Sequence, residues 1–330
     1  MSVKQKTLEV LENHRGKFVS GGELANTLQV SRNAVWKAIK SLEQEGYDIE
    51  AVKNRGYRLA ESSDILSEQS IRKYLSDTRG KFQLEIRKSV TSTNELVKQQ
   101  ALSGAEEGLV VIAEEQTCGK EKSGRVFYSP KGTGIYMSVL LRPKISMKHA
   151  FAITTSAAVA VAQAIEQVSE RKAEIMWVND IYCDGKKVCG ILTEASYQME
   201  TGKFDYVVMG IGIHVKLPES GMPVELGSKT DCVFQQTETD VRSQLVAQVL
   251  TRFWDFYQRL ESLPFLEEYI QRSCFIGKNV TIETKEGIRE GNVLSVNRQC
   301  HLVVAMDDGT EEEFSAGTVR LKNDCKLNTG

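Results

Sequence analysis

Residues 175–194 constrain this chain more than any other stretch. Two short apolar runs flank Asp184-Gly185, a dipeptide that readily takes the positive backbone angles of a tight hairpin turn. The first run carries Trp177, Asn179 and Asp180, polar groups that a fully buried strand does not hold without partners. After the turn stand Lys187 and, beyond Val188 and Cys189, Gly190. A glycine within a strand often marks the place where a ligand approaches the main chain. An amphipathic surface hairpin would produce the same pattern, so the hairpin alone leaves both readings open.

At 330 residues the chain is long enough for two or three domains with a sizeable core. Its net charge of −2 excludes a globally basic nucleic-acid binder, so any DNA contact has to come from a local patch. The seven cysteines (118, 183, 189, 232, 274, 300 and 325) include no C-x-x-C pair and no metal-site spacing. They read as reduced, mostly buried thiols of a cytoplasmic protein. The amino-terminal residues lack the apolar core of a signal peptide, and no run approaches the roughly 20 apolar residues of a membrane span. The expectation is a cytoplasmic protein with no membrane contact.

The first sixty residues carry ten Lys/Arg against seven Asp/Glu. Apolar residues at 8, 10, 11 and 18 predict a first helix ending near His14. A second helix follows, capped by Ser20 with Glu23 three residues on. Ser31 then caps a helix over 32–44 in which Val35, Ile39 and Leu42 share one face. Arg32, Asn33, Trp36, Lys37 and Lys40 are left for the other face. That is helix-turn-helix spacing, in which the second helix offers base edges its first turn and phosphates its basic side. Residues 47–59 alternate as a hairpin with Lys53 and Arg55 near its tip, which makes a wing. The DNA-binding set is therefore Ser31, Arg32, Asn33, Trp36, Lys37, Lys40, Lys53 and Arg55. With so modest a field, a single domain should bind DNA weakly and in a salt-sensitive way. A small helical domain that binds protein instead is the plainer alternative. Residues 60–64 are polar and short enough for a linker, and a capped helix over 66–75 opens the next domain.

Beyond it, a strand at 84–87 runs into Ser92-Thr93-Asn94 just before a helix; simple capping would explain these residue types equally well. The apolar run 108–113 reads as a buried strand. It delivers a loop containing Gln116, Gly119, Lys120, Glu121, Lys122, Gly124 and Arg125, which by itself could be a charged surface loop. A strand at 133–142, an alanine-rich helix at 150–168 and a strand at 207–215 ending on His214-Val215 complete this part. Without a carboxylate motif nearby, His214 reads as structural. The helix over 240–260 carries Leu245, Val249, Phe253 and Tyr257 as a core stripe. Short strands from 277 to 321, broken at turn residues, predict a small β-barrel. The fold class expected is α+β.

In four places, and in the same order, the chain resembles the biotin protein ligases. Their hairpin runs Lys-Trp-Pro-Asn-Asp, a turn, then Lys-x-x-Gly-Ile-Leu-x-Glu, and Trp177, Asn179, Asp180, Lys187, Gly190, Ile191, Leu192 and Glu194 match it. Met176 stands where that family has lysine and Val178 where it has proline. Ser92, Thr93 and Asn94 match the Ser-Thr-Asn that lines the biotin pocket. The glycine- and arginine-rich loop is kept at Gln116, Gly119, Gly124, Arg125, Tyr128, Ser129 and Pro130. Its central Arg-Gly-Arg is replaced by Lys120-Glu121-Lys122, and His214 replaces an asparagine placed near adenine. The amino-terminal domain resembles that of family members that double as biotin-operon repressors.

The resemblance implies a winged helix-turn-helix domain (1–62), a ligase domain (63–272) and a small β-barrel (273–330). It implies ATP-dependent biotinylation of a lysine on a biotin carboxyl carrier domain, by way of biotinyl-5'-AMP, which also acts as corepressor on operator DNA. A ligand-dependent homodimer goes with that role. The catalytic residues implied are Lys187, Arg125 and Asp180, with Asp180 also a Mg²⁺ ligand. The biotin-binding set is Ser92, Thr93, Asn94, Gln116, Lys120, Glu121, Lys122, Lys187 and Gly190. Because Met176 cannot stabilise negative charge, two alternatives stay open. One is a ligase-impaired paralogue that senses biotin or its adenylate and only represses. The other is a winged-helix regulator of an unrelated carboxylate.

Overall fold

The computed structural model describes residues 1–322 apart from 76–77, 199, 201, 236–238, 285–286 and 316; Cys325 lies outside them. Three helices open the chain, α1 (Val3–Asn13), α2 (Gly21–Leu28) and α3 (Arg32–Gln44). Each begins on the serine its sequence offers. Ser2 and Gln5 form a reciprocal capping box, Ser20 Oγ accepts the Glu23 N–H at 3.0 Å, and Ser31 Oγ accepts that of Ala34 at 3.1 Å. Val35, Ile39 and Leu42 bury against Leu8, Leu11, Leu24 and Leu59 in a core of their own. The wing is β1 (Ile49–Val52) with β2 (Gly56–Leu59), antiparallel. Phe18 is not part of α1; it lies under Arg55 and Arg58, with the Arg55 guanidinium 4.1 Å from its ring centre.

The linker expected at 60–64 is fastened rather than free. Arg15 donates to the carbonyls of Ala60, Glu61 and Ser63 at 3.2, 3.3 and 2.7 Å. Asp64 is gripped by Arg242 and by Lys216, each at 2.9 Å. A second buried network joins α1 to the next domain, where Lys73 lies 2.8 Å from Glu12 and 2.7 Å from Asp240. Removing one member of such a set strands a buried charge.

The predicted helix at 66–75 is shorter, α4 (Glu68–Arg72) on a Ser67 cap. Next come β3 (Gln83–Arg87), α5 (Thr93–Leu102), β4 (Leu109–Ala113), β5 (Gly134–Leu141), α6 (Ala150–Val168), β6 (Glu174–Met176), β7 (Asp180–Cys183), β8 (Lys186–Gln198) and β9 (Lys203–His214). The strands form one mixed sheet in the order β3-β4-β5-β9-β8-β7-β6, parallel only at β3/β4. One expectation fails here. The run before the Asp184-Gly185 turn is not a single strand but two, β6 and β7, paired antiparallel and joined by a turn over 177–179. The turn lets Asn179 make its bonds to the next strand: its side-chain amide reaches the Ile191 carbonyl at 2.8 Å and its own carbonyl accepts the Ile191 N–H at 2.9 Å. The Trp177–Val178 peptide is cis.

α7 (Val224–Gly227), α8 (Val241–Tyr257) and α9 (Leu266–Arg272) follow. Leu245, Val249 and Phe253 bury one stripe of α8 against α6. By length and composition α6 meets the requirement for a membrane span, contrary to the sequence expectation, but 72% of that window is buried inside the fold. The last module, expected as a small barrel, is a five-stranded antiparallel sheet. It comprises β10 (Asn279–Thr284), β11 (Gly287–Val296), β12 (Leu302–Met306), β13 (Glu311–Phe314) and β14 (Thr318–Leu321), in the order β13-β12-β11-β10-β14. Its apolar side chains, Val280, Ile282, Leu302 and Val319 among them, share one continuous core with the central sheet.

Candidate functional site

The first turn of α5, residues within β5, β8 and β9, the 177–179 turn and the loop after β4 surround one cleft. It holds about 820 Å³ of atom-free space, its open mouth included. Ser92, Thr93, Asn94, Gln116, Lys120, Glu121, Lys122, Arg125, Asp180, Lys187 and Gly190 all line it. Residues far apart in the chain thus meet at one hollow, as the four motifs require.

Capping does not explain the hydroxyls at α5. Ser92 is the N-cap residue, yet its side chain makes no capping bond. The Thr93 N–H instead reaches Gln116 Oε1 at 2.8 Å, and the Gln116 amide donates to Ser129 Oγ at 3.0 Å. Asn94 is held still more firmly. The Ser138 hydroxyl lies 2.6 Å from Asn94 Oδ1, while Asn94 Nδ2 donates to Glu194 Oε2 at 2.8 Å and to the Leu192 carbonyl at 3.3 Å. The closeness of Asn94 to β9 requires Gly210, because a Cβ there would stand 2.1 Å from Asn94 Oδ1. Ser138 and Gly210 were not predicted as site residues. Ser138, the one small polar side chain in the buried strand β5, was the signal available.

On the opposite side Lys187 carries the main positive charge. Its ammonium lies 2.6 Å from Glu121 Oε1 and 3.1 Å from Asp180 Oδ2. Burial opposes that charge, but Asp180 and Glu121 outweigh it and hold the pKa above the ordinary lysine value. Burial pushes the Asp180 carboxyl up, with Lys187 acting against it. Gly190 leaves room for the ammonium, since a Cβ there would come within 3.2 Å of Lys187 Nζ. Met176 lines the same wall with no charge to offer.

The loop over the cleft is pinned on itself and at both flanks. Glu121 N–H donates to the Arg125 carbonyl at 2.8 Å, and Phe127 N–H to that of Gly119 at 3.0 Å. Lys120 pairs with Glu95 at 2.5 Å. Lys122 Nζ reaches the Gly317 carbonyl at 3.3 Å, so the carboxy-terminal sheet supplies a wall through residues 317–319. Arg125 is largely exposed, its Nε 3.8 Å from Glu121 Oε2. His214 does not line the cleft. It is buried against the Phe127 ring, centres 4.7 Å apart and planes within 10°, and burial, aided by Lys187, pushes its pKa down to about 4. It is a neutral packing residue.

For a divalent cation the described residues offer no group of three or more His, Cys, Asp or Glu side chains. Two carboxylates, Asp180 and Glu121, line the cleft and both pair with Lys187; Asp180 has one oxygen on Lys187 and the other 3.3 Å from Asn179 Nδ2. This fits Mg²⁺ only where substrate phosphates and water supply most of the ligands, which is how Mg²⁺ is commonly held.

On the amino-terminal domain, Arg32, Asn33, Trp36, Lys37 and Lys40 are exposed on α3, and Lys53 and Arg55 on the wing. Ser31 spends its hydroxyl on the cap, Lys40 pairs with Glu43 at 2.6 Å, and Arg55 stacks on Phe18. Arg32, Asn33, Trp36 and Lys37 lie exposed in the first two turns of α3.

Comparison with known proteins places the chain by sequence and by fold. The Biotin/lipoate A/B protein ligase family matches residues 86–214, and a helix-turn-helix (HTH) domain family matches residues 3–58. The chain is 32% identical over 319 residues to the bifunctional ligase/repressor BirA of Bacillus subtilis, covering 96% of this chain and 98% of that one. To the BirA of Escherichia coli it is 24% identical over 326 residues, 98% of each chain. Among solved structures, the biotin protein ligase from Aquifex aeolicus in complex with biotin and ATP superposes with a TM-score of 0.59 at 22% identity, over 72% of this chain and 99% of that one. That last likeness is one of fold.

Proposed function

The chain belongs to the bifunctional biotin ligase/repressor family, and from that premise we propose the division of labour among its own residues. The protein is a biotin–protein ligase with a DNA-binding repressor domain. The proposed units are residues 1–62 for DNA, 63–272 for ligand and chemistry, and 273–330 as a wall of the cleft. The single observation that carries the site assignment is the convergence of the Asn94, Gln116 and Lys187 segments on one cleft.

In this reading the cleft takes biotin and ATP. Biotin's carboxylate attacks the α-phosphate, pyrophosphate leaves, and the resulting biotinyl-5'-AMP passes its acyl group to a lysine amine of a carrier domain. Ser92, Thr93, Asn94 and Gln116 hold the polar ring end of biotin with fixed donors and acceptors. Lys187 faces the carboxylate and then the mixed anhydride. Arg125, Lys120 and Lys122 supply positive charge over the phosphates, where preorganised charge in a water-poor site counts most. Mg²⁺, held by Asp180 together with phosphate oxygens, would neutralise charge on the nucleotide. Lysine keeps the charge of the family's arginines without their planar two-pronged grip.

The adenylate serves as corepressor. Arg32, Asn33, Trp36 and Lys37 read base edges, Lys40, Lys53 and Arg55 meet phosphates, and Ser31 fixes the helix that presents them. The modest positive field of the first sixty residues supports a ligand-dependent homodimer, since two half-sites together supply the phosphate contacts one domain lacks.

A second reading, a repressor that senses biotin or its adenylate with an impaired ligase half, is favoured by the Glu121 carboxylate on Lys187 and the neutral Met176 in the same cleft. Incubation with biotin, ATP, Mg²⁺ and an apo carrier domain separates the two. Biotinyl transfer is expected. Absence of transfer with retained ligand binding in calorimetry would leave the sensor, and absence of binding would end both readings.

A further inference from the structure

The contact between Glu121 and Lys187 joins a loop to a strand 66 residues further along. The family pattern has glycine at position 121, so nothing in that pattern anticipates a carboxylate on this ammonium. Resting on the reading of the cleft as a biotin site, we propose that Glu121 is a built-in competitor for Lys187. It occupies the ammonium that the ligand's own carboxylate would engage, and so sets how far the cleft favours anionic over neutral ligands.

An ammonium has three N–H donors. Here one is directed to Glu121 at 2.6 Å and another to Asp180 at 3.1 Å. A third carboxylate brought to the same point meets two like charges at close range, in a place only partly open to solvent. The neighbouring cations are already engaged. Lys120 is on Glu95, Lys122 is on the Gly317 carbonyl, and Arg125 leans toward Glu121 itself. Met176, on the same wall, brings no charge.

The third N–H is left for a ligand, but like-charge repulsion favours withdrawal of one of the two carboxylates when that ligand is anionic. Asp180 is built into β7, paired to both β6 and β8. Glu121 sits on a short loop hairpin and is the one that can swing away. A ligand with an uncharged tail makes no such demand, and the clasp can stay shut over it.

The experiment is calorimetric titration of the full chain and its Glu121→Gln variant with biotin and with biotinamide, whose tail is neutral. Glu121→Gln is expected to tighten biotin by about tenfold or more, as removal of one like charge beside a partly buried ammonium requires. Biotinamide should change by less than about twofold. Against a Lys187→Met background the gain for biotin should vanish. Glu121→Ser should repeat the pattern, which guards against a folding defect peculiar to one variant. Equal shifts for the two ligands, no shift for either, or a gain that survives Lys187→Met would overturn the proposal. Failure of the wild type and every variant to bind either ligand would instead remove the biotin reading, and this inference with it.

Discussion

Gly210→Ala is the sharpest single test of the cleft. The added methyl would stand 2.1 Å from Asn94 Oδ1, 2.9 Å from its Cγ and 3.1 Å from its Nδ2. Ordinary contact begins about 1 Å further out, so the whole amide has to retreat. It has nowhere easy to go: Ser138 holds the oxygen at 2.6 Å, and Glu194 and Leu192 hold the nitrogen at 2.8 and 3.3 Å. A neutral hydrogen bond contributes about 1 kcal/mol net and one to a charged group about 1.5–3. Losing the Ser138 and Glu194 bonds alone thus costs roughly 2.5–4 kcal/mol, shared between the empty protein and the complex. If half falls on the complex, biotin affinity drops by about ten- to thirtyfold, at 1.4 kcal/mol per decade. The remainder appears as lost stability. Calorimetry with biotin and urea denaturation measure the two parts. A variant that keeps both affinity and midpoint would refute the claim that Asn94 is locked against β9 as a ligand-binding group.

Three further perturbations test separate parts of the argument. Met176→Lys should raise adenylate formation by about 10²–10³, the worth of one well-placed donor to developing negative charge; an unchanged rate in a pyrophosphate-release assay would put the deficit elsewhere. Arg242→Met should destabilise the fold by about 3–5 kcal/mol, because Asp64 and Glu114 lose the cation that lies 2.9 and 2.7 Å from them. A loss under about 1 kcal/mol in urea would show that Lys216 alone satisfies Asp64. His214 supplies a pH signature: its folded pKa of about 4 lies below the 6.5 of an unfolded histidine. Stability linked to it is whole above pH 6.5 and is lost as the pH falls toward 4, on the order of 3 kcal/mol in all. His214→Asn should flatten the stability curve across that window, and a slope identical to the wild type would contradict the assignment of a buried neutral ring.

What could be read from the sequence follows from how local each signal is. Ser31, the apolar spacing of Val35, Ile39 and Leu42, and the alternation around the wing are short-range features, and the helix-turn-helix domain matches them closely. The alanine-rich helix came out with its predicted limits, Ala150–Val168. The break between β6 and β7 did not, because an apolar run with Asn179 inside it reads as one strand until the partner strand is known. It is the Ile191 carbonyl and N–H that make the turn at Asn179 worthwhile. Nor could residues 60–64 be told from a free tether, since the groups that bind them, Arg15 and Arg242, come from either side of the linker and, in Arg242's case, from 178 residues away.

The cleft divides in the same way. Motifs mark Thr93, Asn94, Gln116 and Lys187 one by one, and all four line the cleft, but their arrangement with the residues that orient them is not written in the sequence. Ser138, Gly210 and Glu194 act on Asn94 from three strands; Glu194 carries the hairpin motif, but nothing in the sequence says that it, Ser138 and Gly210 meet at Asn94. The substitutions at 176 and 121 mark the limit most clearly. Each is visible as a departure: a lysine position filled by methionine, a glycine position filled by glutamate. Only the fold brings both to the cleft that Lys187 lines, one as an uncharged lining residue and the other by occupying the ammonium. Taken separately they weaken the site's positive charge by one unit each. Placed together they lower the charge of one cleft by two, and that is why affinity for an anionic ligand, more than for a neutral one, is the quantity in which this chain should differ from its relatives.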